Sequence, residues 1–93
     1  MIVGTCEIEC FLPVSQSLKD KRHVLKSLKT RIRNKFNVSV SEIGEKNLWQ
    51  RATLAIAIVG DDTRFLQKVL SQVLQLVERE TYLEIIDSYI DIS

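Results

Sequence analysis

The chain has 93 residues, 45% of them hydrophobic and 27% charged, with a formal net charge of +1. One domain is expected (residues 1–93) and two are excluded, while the apolar fraction excludes an extended disordered chain. No apolar run approaches the ~20 residues of a membrane-spanning helix. The opening MIVGTCEIECFLP carries no basic segment ahead of its apolar residues, so no secretory leader is expected and a cytoplasmic setting is.

Residues 2–12 alternate, with Gly4, Cys6, Ile8, Cys10 and Leu12 on one side and Thr5, Glu7 and Glu9 on the other, as in a half-buried strand. Cys6 and Cys10 fall on the same side about 13 Å apart, too far for a disulfide. They read as two small buried hydrophobes in a reducing compartment. Pro13 and Ser15-Gln16-Ser17 end the strand. Ser17, followed three residues later by Asp20, resembles a capping box, so a helix should begin near Leu18. Leu18, Leu25, Leu28, Ile32 and Phe36 then recur at helical spacing.

A second strand pattern covers residues 37–43, Gly44-Glu45-Lys46-Asn47 forms a turn, and a third strand spans Leu48 to Val59. Gly60-Asp61-Asp62 breaks it and offers carboxylate caps to a second helix, residues 63–80, with Leu66, Val69, Leu70, Val73 and Val77 as its apolar stripe. Tyr82 to Ile92 alternates again, with Ile86, Ile90 and Ile92 on the expected core side. The order βαββαβ predicts an α+β, ferredoxin-like domain: a four-stranded antiparallel sheet with both helices on one face.

The near-neutral total hides a polarity. Eight basic residues and one acid lie between Ser17 and Phe36, a local charge of +7, whereas the other 73 residues hold five basic residues and eleven acids, or −6. On a helical projection Lys19, Arg22, Lys26, Lys29 and Arg33 fall within an arc of about 80°, a row about 21 Å long. Lys21, Arg31 and Lys35 project to the opposite flank. No acid lies four residues from any of the five to offset their repulsion, so the row costs some helix stability. Such a row suits the phosphates of RNA or another polyanion. The alternative is a solvated face whose long side chains cover the core rim and pair with acids elsewhere.

The open sheet face should display Glu7, Glu9, Asp87, Tyr89, Asp91, Trp49, Arg51 and Thr53. RNA-recognition-motif proteins stack bases on aromatics of their central strands, and here acids occupy that position. Nucleic acid is therefore expected on the helix. Four acids raise the thought of Mg²⁺, but neighbours two apart on a strand are about 7 Å apart, so no metal site is assigned. His23 stands alone among cations, and no glycine-rich phosphate loop occurs. No catalytic residue and no small-molecule cofactor are assigned, and an enzyme is not expected. Trp49 beside Arg51 either stacks on a partner or closes the hairpin end of the sheet.

Two blocks, Ser17-Leu-Lys-Asp-Lys-Arg-His-Val-Leu-Lys-Ser-Leu-Lys with Arg31-Ile-Arg-Asn-Lys-Phe-Asn-Val-Ser-Val, and Leu48-Trp49-Gln50-Arg51-Ala52, strongly resemble the YlxP-like family of small bacterial proteins. The resemblance implies a ferredoxin-like domain and transfers no catalytic residue. Genes of that family often neighbour those of translation initiation and ribosome maturation factors, which implies ribosomal RNA or a pre-ribosomal particle as partner. Candidate nucleic-acid contacts are thus Lys19, Lys21, Arg22, Lys26, Lys29 and Arg33, with Trp49 and Arg51 as interaction residues. A second expectation is a self-association domain, a homodimer using the edge strands 37–43 and 82–92 or setting its acidic sheet against another copy's basic helix. A metal-dependent enzyme ranks third.

Overall fold

In the computed structural model, which describes residues 1–93, the alternating segment forms β1 (Ile2–Phe11), and the capped apolar stripe that follows forms α1 (Leu18–Lys35). Then come β2 (Ser39–Ile43), β3 (Arg51–Gly60), α2 (Thr63–Glu78) and β4 (Glu84–Ile92). The strands make one antiparallel sheet in the order β2-β3-β1-β4, and both helices cover the same face. This is the ferredoxin-like α+β arrangement.

The period-two pattern of β1 is realised without a slip. Cys6, Ile8 and Cys10 are fully buried, as are Leu54 and Ala52 opposite Ile8 and Cys10 on β3. They join a core of 18 buried residues that includes Leu25, Leu28 and Ile32 of α1 and Leu66, Leu70, Val73 and Val77 of α2. Burying a large aliphatic side chain in such a layer is worth about 1.5–3 kcal/mol. Gly4 lies where α2 crosses β1: a Cβ there would lie 3.1 Å from both Ile58 Cγ2 and Leu70 Cδ1, so those side chains would have to shift by a few tenths of an ångström.

Several details differ from the sequence-based expectation. β2 starts at Ser39, not residue 37, and β3 starts at Arg51, so Leu48, Trp49 and Gln50 belong to the β2–β3 connection. That connection opens with Gly44 and Glu45, both left-handed at φ 58° and 48°. The third difference is in β4. Glu9 pairs with Asp87 but Cys10 pairs with Ile85, which leaves Ile86 as an extra residue. This bulge shifts the alternation, as an inserted residue must. Ile85 packs on the core with Ile90 and Ile92, and Ile86, expected inside, is 46% exposed.

Candidate nucleic-acid interface

The first turn of α1 is fixed by its own side chains. Ser17 Oγ accepts the Asp20 N–H at 3.0 Å, and Asp20 Oδ2 accepts the Gln16 N–H at 3.1 Å. Asp20 thus reaches one residue beyond the usual capping-box target while still satisfying a free donor. From this start the helix presents Leu25, Leu28 and Ile32 to the sheet.

Lys19, Arg22, Lys26 and Arg33 are exposed along one flank, with Lys29 half-buried beside the core rim. The chain has three ion pairs, Lys21–Glu42, Arg31–Glu80 and Arg51–Glu9, and none of them involves this row. Arg22 Nε donates to the Leu18 carbonyl at 3.3 Å and Arg33 Nη2 to the Val40 carbonyl at 2.8 Å. Both acceptors are neutral, so the two guanidiniums are steadied while their charge stays uncompensated. The Val40 contact also anchors the far end of the row against β2.

The opposite flank is different. Arg31 is ion-paired with Glu80 and donates to the Tyr82 hydroxyl at 2.7 Å. The hydrogen bond that it donates to Glu80 holds its guanidinium more firmly protonated than usual. Burial, and after it the nearby Glu80 charge, raise the Tyr82 phenol above its ordinary value. Lys35 lies 5.8 Å from the centre of the Phe36 ring. On this flank Arg31 is thus matched by an acid, whereas no member of the five-residue row is.

Lys21 does not belong with the candidate nucleic-acid contacts. It is 1% exposed and lies under α1 in the row with Leu25, Leu28 and Ile32. Its Nζ donates to the carbonyls of Glu45 at 3.1 Å, Lys46 at 3.2 Å and Arg51 at 3.2 Å. Three protons meet three carbonyls, the full donor capacity of an ammonium. Glu42 Oε2, 2.9 Å away, meets the charge without accepting a hydrogen bond. The physical reason for the correction is that a lysine at a core position can be buried when its charge and every proton are met.

The β2–β3 connection is held from a second side. Gln50 Nε2 donates to the carbonyls of Pro13 at 3.0 Å and Ser15 at 3.2 Å, and Leu12 N–H donates to the Gln50 carbonyl at 2.8 Å. Trp49 stands on this clamped segment 55% exposed, so it does not close the end of the core. Beside it is a hollow of about 330 Å³ lined by Asn47, Leu48, Trp49, Gln50 and Arg51. Arg51 Nη1 pairs with Glu9 Oε1 at 3.2 Å across the sheet. Neither the burial of Lys21 nor the Gln50 clamp is among the sequence-based expectations. The spacing 21, 25, 28, 32 carried the signal for the lysine, but its charge masked it.

On the open sheet face Glu7 is exposed and Glu9 half-buried, facing Tyr89 and Asp87 of β4. Glu7, Glu9, Thr53, Asp87 and Ser88 line a polar hollow of about 160 Å³, and no three His, Cys, Asp or Glu side chains converge closely enough to hold a metal ion. Further along, small residues (Thr5, Ser39, Ser41, Ala55, Ala57) floor a depression of about 420 Å³ with Tyr89 at its side. Exposed Val59 continues the apolar surface from Ala57 along β3.

Cys6 and Cys10 are free and lie inside the core. Burial, with smaller contributions from the Glu7 and Glu9 charges, pushes both thiols up to about 11, which suppresses nucleophilic reactivity.

The two sequence blocks therefore map onto α1 with the start of β2, and onto the clamped loop with the start of β3. The chain is 44% identical over 77 residues to uncharacterized protein YlxP of Bacillus subtilis (strain 168), an alignment covering 83% of this chain and 84% of that one. Residues 3–90 match the model of the family described as "Protein of unknown function (DUF503)". The chain belongs to the DUF503 family.

Proposed function

We propose that the protein is a non-enzymatic cytoplasmic module that binds structured RNA, ribosomal RNA or a pre-ribosomal particle, through the exposed basic flank of α1. The observation carrying this reading is that Lys19, Arg22, Lys26, Lys29 and Arg33 share one flank and none is ion-paired, although the chain holds twelve acids. A face kept only for solubility would interleave signs, because like charges at helical spacing cost stability. Phosphates would supply the missing counter-charge, with Ser27, Thr30 and Asn34 alongside for sugar or base contacts.

An electrophoretic mobility shift with ribosomal RNA fragments tests it. Neutralising about five phosphates gives a slope of log K against log salt near −4. Replacing Lys19, Arg22, Lys26 and Lys29 together by Gln should abolish the shift and flatten that slope. No shift at low salt, or an undiminished shift by the variant, would refute the proposal.

A second reading is self-association. The small-residue depression between β2 and β4, with Tyr89 beside it, favours this reading because it leaves room for another molecule's side chains on an otherwise uncovered sheet. It needs no RNA.

A further inference from the structure

We infer that the Trp49 hollow seats one unpaired nucleobase, so that the protein selects RNA in which an unpaired nucleotide interrupts a helix; this rests on the RNA reading above and names its preferred substrate. The first observation is mechanical. The segment from Glu45 to Arg51 includes a left-handed non-glycine residue, Glu45, a conformation that persists only where the surroundings enforce it. Here they do: the Lys21 ammonium gathers the carbonyls of Glu45, Lys46 and Arg51, and Gln50 ties the other side to Pro13 and Ser15. A buried lysine is a costly way to fix a surface loop whose largest side chain then faces solvent. The result is an indole whose backbone is already immobilised, so little order remains to be lost when something stacks on it.

The second observation is the chemistry of the lining. Trp49 offers a π-face and Arg51 a planar guanidinium held by Glu9. Asn47 carries an amide with no intramolecular partner, and Gln50 keeps its side-chain oxygen free while its nitrogen is engaged. A flat aromatic surface with donor and acceptor groups at its edge is what a splayed-out base requires. A purely aliphatic partner would leave those amides unpaired.

The third observation is position. Lys21 belongs to the same helical turns as Lys19 and Arg22, and its Nζ touches the loop that carries Trp49. The loop that carries the hollow is therefore tied to the N-terminal turns of α1, the helix along which the basic row runs for about 21 Å. One ligand can lay phosphates along α1 and turn a single base into the hollow. A fully paired helix can do only the first.

Trp49 is the one tryptophan, so its emission reports on this loop alone. The probes are two RNA hairpins identical except for a single bulged adenosine. The bulged hairpin should quench Trp49 fluorescence and bind about tenfold more tightly than the paired one, the effect of one stacked base. Trp49→Ala should bring the two hairpins to the same affinity, and Trp49→Phe should keep part of the difference. The Gln replacements of Lys19, Arg22, Lys26 and Lys29 should weaken both. Equal affinity of the wild-type protein for both hairpins without quenching overturns the seat and leaves the RNA reading standing. Failure of both hairpins to bind at low salt removes both. A Trp49 emission that shifts with protein concentration in the absence of RNA would assign the hollow to a second copy of the chain, and would also overturn the seat.

Discussion

Lys21 has the composition of a surface residue and the position of a core one. Its ammonium gives three protons to three carbonyls and lies against Glu42, so removing it strands three acceptors and a buried carboxylate at once. Lys21→Met should cost about 3 kcal/mol, the lower end for breaking a buried pair. Urea denaturation should locate that loss, and Lys21→Met with Glu42→Leu should recover much of it by removing the orphaned carboxylate. The cysteines make a second residue-scale case. Their thiols titrate near 11 when folded against 9.0 for an ordinary thiol, so between those values the folded chain holds protons that the unfolded chain releases. That difference stabilises the fold below pH 9 and is lost as the pH rises toward 11. Chemical denaturation at stepped pH should show stability falling across this window, less steeply in Cys6→Ala/Cys10→Ala. At pH 8 neither thiol should react with a disulfide reagent until the chain is unfolded.

At the scale of elements, legibility followed how many residues vote for a pattern. β1 has five alternating positions facing one core, and α2 has five apolar residues on one stripe, so both could be read directly. Single-residue events could not. The bulge at Ile86 inserts one residue into an intact alternation, and nothing local marks it, because isoleucine suits either face. The start of β3 differs from its pattern for a related reason: Leu48 and Trp49 have strand-like side chains, but the positive φ of Gly44 and Glu45 and the pull of Lys21 hold them in the connection. The candidate site divides the same way. The basic row follows from helical geometry and was legible. Which flank remains unpaired depends on Glu80 and Glu42, distant in sequence, and was not.

For the whole molecule, the two layers carry opposite signs: unpaired cations line the outer flank of α1, and Glu7, Glu9, Asp87 and Asp91 lie on the open face of the sheet. A polyanion would turn the helix layer toward itself within about a Debye length, close to 10 Å at 0.1 M salt. Self-association would use the other layer. Static light scattering across a concentration series distinguishes the cases: a dimer weakened by Ala57→Glu would place the contact on the small-residue depression, and a monomer at all concentrations would reject it.

The bulge in β4 also limits what the chain can become. A free strand edge is a template onto which further strands can add without end. One edge of this sheet, β2, is only five residues long, and the other is broken in register at Ile86. Neither gives an incoming strand a long, regular row of hydrogen-bonding groups. An incoming strand would therefore meet only a short regular stretch at either edge, which disfavours open-ended growth by strand addition.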